Sequence, residues 1–353
     1  MPFETALTRR LGMRTPILQA PMAGGSDSVE LAAAVSNAGG LGSFGCAYLN
    51  PEQILAAGRA IRGLTDRPFG LNLFTPWENP GQPDAGAALA AMAPYFAELG
   101  LQAPVAPPAQ PVIFDEQFDA VLESGAAVFS FTFGLPPAGV IEAAHQRGLE
   151  VIGTATTVEE AVKIAALGCD AVVAQGAEAG GHRGTFLAPV EASLIGTMAL
   201  VPQIVDAVSI PVIAAGGIMD GRGLAAALAL GAQAVQLGTA FLTCDEAGAN
   251  SAYRLQLMRA HEDETALTRA FSGRAARGVV NRVMREVDEA AILPFPLQNA
   301  LTRPLRTEAA RQGRAEFLSL WAGQGLRMVR TGKAAAMVAE ITTQAEAVAR
   351  ALG

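Results

Sequence analysis

Ala171-Val172-Val173-Ala174-Gln175-Gly176-Ala177-Glu178-Ala179-Gly180-Gly181-His182-Arg183-Gly184 is the stretch on which the fold class turns. Its first four residues are short, uncharged and apolar, and a glycine-rich loop follows at once. This pattern predicts a buried strand whose C-terminal end delivers one imidazole and several bare backbone amides to a single point. Enzymes of the α/β class build their sites in this way, on loops at the ends of strands.

Seven further runs of the same kind stand outside this one, at 17–20, 41–45, 69–73, 127–131, 150–153, 212–215 and 234–237, separated by segments of helical composition. With 171–174 they make eight. Continuous apolar strands alternating with helices predict a parallel sheet covered on both faces, and eight of them predict a closed TIM-type (β/α)8 barrel. Several helix starts are readable. Asn50-Pro51-Glu52-Gln53 offers an N-cap, a proline at the first helical position and a glutamine at the third; Thr157 with Glu160 has capping-box spacing, and Asp27 with Glu30 imitates it. No Gly-x-Gly-x-x-Gly joins the first strand to the first helix, so a dinucleotide-binding half is not indicated.

After Leu242 the chain becomes richer in charge and poorer in β-type runs, with helical segments expected at 252–260 and 311–321 and a final amphipathic helix over 333–352. The expected organisation is a barrel over 1–244, an inserted α-helical subdomain over 245–330 following the eighth strand, and a last helix over 331–353 returning to the barrel. Such an insertion leaves from the catalytic end. The uncharged stretch 223–243 is long enough to imitate a membrane span, but Gly231, Gln233 and Gln236 interrupt it, and helix, turn and strand are expected instead.

The chain has 353 residues, 51% of them hydrophobic, which suffices for a large core. A formal net charge of −8 gives no basic footprint for nucleic acid or anionic lipid. Cys46, Cys169 and Cys244 are odd in number and far apart, which argues against a disulfide framework or a zinc site. The first residues lack a signal-like apolar core, so a cytoplasmic protein acting on small molecules is expected.

The residues at the strand ends suit a phosphorylated heteroaromatic ligand. Gly216 and Gly217 after the seventh strand, and Gly238-Thr239 after the eighth, lie where barrels often bind phosphate through backbone amides. Asn72, Gln175 and Gln236 bring carboxamides that both donate and accept hydrogen bonds, and Met22 lies in Pro21-Met22-Ala23-Gly24-Gly25, an apolar floor with close backbone approach. Of the three histidines, only His182 is presented by glycines after a strand, and it is the candidate for proton transfer or anion stabilisation. His145 and His261 read as solvated helix faces. Glu178 shares the histidine loop, where it either orients His182 or pairs with Arg183. No second His or Cys pair has metal-ligand spacing.

Gln19-Ala20-Pro21-Met22-Ala23-Gly24-Gly25, Phe69-Gly70-Leu71-Asn72-Leu73-Phe74, Ser130-Phe131-Thr132-Phe133-Gly134, Glu178 to Gly184, and Pro296-Leu297-Gln298-Asn299-Ala300-Leu301-Thr302 together resemble the nitronate monooxygenase family, formerly called 2-nitropropane dioxygenases, and most closely its class I branch. The resemblance implies noncovalent FMN held by Asn72, Gln175, Gly180, Gly217 and Gln236-Leu237-Gly238-Thr239, with Met22 near the ring and His182 as the catalytic histidine. It also implies oxidation of alkyl nitronates, including the toxic propionate 3-nitronate, with O2 to a carbonyl compound and nitrite, a detoxification. Either His182 holds the anion, or with a neutral nitroalkane it acts as base. The chain departs from the class I pattern at Phe114 and Phe295, which stand where tyrosines would align, and at Arg303, which replaces a lysine; Tyr253 is retained. Two other readings of the same residues are an FMN-dependent NAD(P)H reductase of enoyl thioesters or quinones, and a noncatalytic flavin binder.

Overall fold

The computed structural model describes residues 3–77, 80–108 and 111–352. The barrel strands are β1 (Ile17–Gln19), β2 (Gly42–Gly45), β3 (Phe69–Phe74), β4 (Val128–Thr132), β5 (Glu150–Ala155), β6 (Ala171–Gln175), then, after a two-residue β7 (Gly181–His182) outside the barrel, β8 (Val212–Ala215) and β9 (Ala234–Leu237). All eight barrel strands pair in parallel in the order β1-β9-β8-β6-β5-β4-β3-β2. A bridge between Leu18 and Leu41, with Gln19 N donating to Leu41 O at 2.9 Å, closes the ring. It is a TIM barrel.

Side-chain alternation divides the buried residues. Leu18, Val128, Ile152, Val173, Ile213 and Ala234 fill the interior, and Ile17, Leu71, Phe129, Val172, Val235 and Leu237 face outward onto the helices. The helix Ala6–Arg10 and the residues after it send Leu7, Leu11 and Met13 into the inner cluster, and Leu7 N donates to Gln233 Oε1 at 3.0 Å. These side chains fill the end of the barrel away from the glycine loops.

The helix starts follow their sequence cues in part. Asn50 and Gln53 form the full capping box on the helix Pro51–Leu64. Ser28, rather than Asp27, caps Val29–Asn37, because the Asp27 carboxylate turns inward to accept from Met22 N and Gly45 N, both at 2.8 Å. Thr157 caps Val158–Ala166, but the Glu160 carboxylate leaves the cap to accept from Thr156, Thr185, Phe186 and Leu187.

The final helix, Ala334–Leu352, packs against Gly221–Ala229 and Val29–Asn37. The chain leaves the barrel and returns to it side by side, at the bridge between Cys244 and Gly332. Between these points lie the helices Ser251–Arg259, Arg282–Glu286 and Leu297–Gln312, and also two strands, β10 (Thr265–Thr268) and β11 (Ala276–Val279). They form an antiparallel sheet with β7 in the order β10-β11-β7. The insertion is thus helical with a small sheet, and the helix expected at 311–321 is a correction: the helix ends at Gln312 and only a 3-10 turn, Ala315–Phe317, follows. A second buried cluster includes Phe271, Leu297, Leu301, Leu305 and Phe317 together with Met92, Tyr95 and Phe96 of the helix after β3. The three cysteines are buried and unpaired. Among the described residues no helix is long and apolar enough to cross a membrane.

Candidate active site

The C-terminal ends of the barrel strands open into a cavity. Met22, Asn72, Gln175, Gly180, His182, Gly217, Gln236, Gly238 and Thr239 all line it. Leu237 does not. Period-2 alternation turns its side chain outward into the core beneath the helices, so only its backbone stands at the strand end.

One end of the cavity is made of backbone. Gly216 and Gly217 have φ of 119° and 70°, and a β-carbon at Gly216 would lie 2.8 Å from Thr197 Oγ1. Close approach and left-handed backbone both require glycine there. Gly238 precedes the 3-10 turn Thr239–Phe241, and Thr239 Oγ1 accepts from Gly323 N at 2.9 Å. Gly180 packs directly on the backbone of Ala322 and Gly323; a β-carbon there would meet them at 2.4 Å.

The carboxamides are held from behind. Asn72 Nδ2 donates to Ser130 Oγ at 3.0 Å. Gln175 is bonded at both ends of its amide: Nε2 donates to His182 O at 3.0 Å, and Oε1 accepts from Gly184 N at 2.8 Å. It therefore braces the histidine loop as well as lining the cavity. Gln236 projects between Leu18 and Ala215, its register partners.

His182 stands in a cage of rings, with Trp321 at 5.5 Å, Phe133 at 5.7 Å, Phe295 at 6.3 Å and Phe74 at 6.4 Å between centroids. Its Nε2 is 2.8 Å from Ser272 Oγ. Burial, followed by the positive charges of Arg274 and Arg306, pushes its pKa down to about 3, so the imidazole is neutral at physiological pH. Phe133 holds φ of 83°, a strained value for a residue with a side chain, and the Arg274 guanidinium lies over its ring at 3.9 Å.

Several expectations about neighbouring residues need correction. Glu178 neither orients His182 nor pairs with Arg183; its carboxylate accepts from Thr197 N at 3.0 and 2.9 Å and from Thr197 Oγ1 at 2.8 Å, at the start of the helix Thr197–Ala207. A carboxylate is favoured at that positive helix end. Arg183 is buried and donates to the carbonyls of Gly176, Gln175 and Ser193. Phe114 is not at the mouth: it is buried against Phe118 in the outer core, whereas Phe295 does face His182. His145 is partly exposed, with Nε2 at 2.8 Å from Asp170 Oδ2.

A second chamber adjoins the first and shares His182, Tyr48, Tyr253 and Trp321 with it. Its walls include Asn299, Arg303 and Arg306. Arg306 donates to Asn299 O at 3.0 Å, Asn299 Oδ1 at 2.7 Å and Thr302 Oγ1 at 3.3 Å, and burial pushes its pKa down to about 10. Arg303 lies 5.8 Å from the Tyr48 ring centroid. Among the described residues, neither arginine nor Arg274 forms an ion pair. The wall acid Asp27 is occupied by its two backbone donors. Sequence reasoning assigned no role to Ser272, Arg274 or Arg306, because nothing in their local sequence shows which face of the insertion meets the barrel. No group of His, Cys, Asp and Glu among the described residues is placed to hold a metal ion.

Residues 5–344 match the family described as nitronate monooxygenase. A probable nitronate monooxygenase of Staphylococcus saprophyticus is 43% identical over 350 residues, covering 98% of each chain. The solved structure of a nitroalkane oxidase from Streptomyces ansochromogenes superposes with a TM-score of 0.91 at 42% identity, covering 99% of this chain and all of that one. FabK from Thermotoga maritima superposes with a TM-score of 0.77 at 29% identity, over 99% and 98% of the two chains.

Proposed function

The chain belongs to the nitronate monooxygenase family, a family of oxidoreductases, and from that membership and the barrel mouth we propose that it oxidises alkyl nitronates with FMN and O2 to a carbonyl compound and nitrite. The observation that carries this reading is a single neutral imidazole, ringed by aromatic side chains and under the positive charge of Arg274 and Arg306, beside a glycine-lined cradle in the same cavity.

The residues present fit FMN. A β-carbon at Gly216 would press on Thr197 and one at Gly217 on Glu178, so both positions stay bare backbone; the amides there and at the start of the Thr239 turn suit a phosphate, and Asn72, Gln175 and Gln236 suit a polar ring edge. When bound, the flavin supplies the electron acceptance and the oxygen chemistry. The chain supplies placement, charge and a proton acceptor. Arg274 and Arg306 give the mouth a positive potential that draws in an anion, and the surrounding rings lower the polarity around the imidazole. A neutral His182 has a lone pair with which to take the α-proton of a neutral nitroalkane, and the nitronate so formed would stabilise the imidazolium that burial and the arginines otherwise disfavour. With a preformed nitronate this step is unnecessary. Arg303 and Arg306 in the adjoining chamber suit a substrate with an acidic tail, such as propionate 3-nitronate.

The purified protein should be yellow and release FMN on denaturation. Gly217→Asp should weaken FMN binding by roughly 10-fold or more in protein that still folds, because the new side chain presses on Glu178, strains the left-handed turn that presents the amides and adds negative charge beside the phosphate site. A colourless protein that does not take up FMN, or unchanged FMN affinity in folded Gly217→Asp, contradicts the assignment.

A further inference from the structure

We propose that Ser272 is a positioning residue that fixes His182 as its Nε2–H tautomer, so that the base is the Nδ1 lone pair. The role of His182 as base rests on the function proposed above; the tautomer follows from geometry alone.

Ser272 Oγ has three polar neighbours: His182 Nε2 at 2.8 Å, Arg274 O at 3.0 Å and Arg274 N at 3.3 Å. A serine hydroxyl has one proton to give and lone pairs to receive. Arg274 O can only accept, so it takes that proton, and Arg274 N can only donate. The remaining neighbour, Nε2, must then donate into Oγ. A neutral imidazole has one N–H, which leaves Nδ1 bare. The reverse arrangement would place the proton on Nδ1, which has no acceptor among the described residues, and would take the serine proton from Arg274 O. That would leave the Arg274 carbonyl without its hydroxyl donor, whereas the observed arrangement keeps that bond and leaves a bare Nδ1 lone pair on an imidazole that lines the cavity, which is what a base requires.

Ser272 is itself held from the insertion. Gln298 Nε2 donates to Ala270 O at 2.7 Å, Gln298 Oε1 accepts from Leu293 N at 3.1 Å, and Thr302 Oγ1 donates to Phe271 O at 2.5 Å. Ser272, Gln298 and Thr302 are all buried. The backbone of His182 is pinned by the same segment, through its β7–β11 pairing with Ala276 and the bond from Arg183 N to Ala275 O at 2.9 Å. A barrel loop therefore provides the imidazole, and the segment after the eighth barrel strand aims it. Gln298 and Thr302 act on the turn that carries Ser272.

The chain has only three histidines, so nitrogen NMR of the 15N-histidine-labelled, FMN-loaded protein resolves them. At pH 7, His182 should show a protonated Nε2 and a bare Nδ1. Ser272→Ala should mix the two tautomers and slow oxidation of a neutral nitroalkane by roughly 10-fold or more, with a smaller effect on a preformed nitronate. Ser272→Thr, which keeps the hydroxyl, should restore tautomer and rate together. A protonated Nδ1 in the parent overturns the proposal, as does a folded Ser272→Ala that keeps the parent tautomer, or a folded Ser272→Thr that restores neither. The parent spectrum decides even if Ser272→Ala does not fold. It reads the tautomer whether or not nitronates are the substrate, so failure here is distinct from failure of the proposed function.

Discussion

His182 titrates near 6.5 in an unfolded chain and near 3 in its folded cage, so between those values only the unfolded chain holds the proton. Acidification through that window therefore favours unfolding; the stability is fully present above about 6.5 and is lost as the pH falls. Buried Asp27 works in the opposite sense. Burial raises its pKa to about 6, so from there down to its unfolded value the folded state holds the extra proton and acid favours folding. His182→Asn should remove the first slope and leave the second. Between pH 7.5 and 5 the variant should gain on the order of 1–2 kcal/mol relative to the parent. Urea unfolding at the two pH values measures this, and parallel pH dependence in both proteins contradicts it. At this scale the sequence made legible the placement of residues that follow a strand, and His182, Gly217 and Asn72 do line the cavity. Leu237 was assigned by motif although alternation with Gln236 turns it outward. Glu178 was read from its neighbours in sequence, while its partner, Thr197, is at the start of a helix 19 residues later.

At the scale of elements, continuous apolar runs placed the eight barrel strands to within two residues, because burial on both faces leaves a strong composition signal. The two-residue β7 has no such signal: Gly181 and His182 form a strand only because Ala276 and Arg277 lie opposite. The helix Leu297–Gln312 was hidden by Pro304 within it and by its many polar residues, several of which are buried and bonded to the insertion. The helix Ala6–Arg10 is too short to be stable alone and is held by what Leu7 buries. Leu7→Ala should cost about 2–5 kcal/mol in urea or thermal unfolding, the range for emptying a buried leucine site. It should leave FMN content unchanged, because the plug lies at the opposite end of the barrel from the glycine cradle. Loss of FMN in a folded Leu7→Ala protein contradicts that separation.

The whole molecule carries a net charge of −8, yet Arg303 and Arg306 line the chamber beside His182 and the positive charge of Arg274 also acts on it, none of the three forming an ion pair among the described residues. Arg303 is exposed and Arg274 feels the Glu160 carboxylate, but the half-buried Arg306 is bonded only to neutral groups, and an anion received beside it would offset the cost of its burial. The barrel provides the cradle and the imidazole, and the insertion provides the arginines, the ring of Trp321 and the serine that aims the base. The most direct test of this account is anaerobic stopped-flow spectroscopy of the FMN-loaded protein, mixed with propionate 3-nitronate and, separately, with NADH. The account predicts loss of the oxidised flavin spectrum on mixing with the nitronate, recovery with release of nitrite when O2 is admitted, and no comparable change with NADH. Flavin that NADH bleaches rapidly while the nitronate leaves it oxidised would contradict the account and assign the barrel to reductase chemistry.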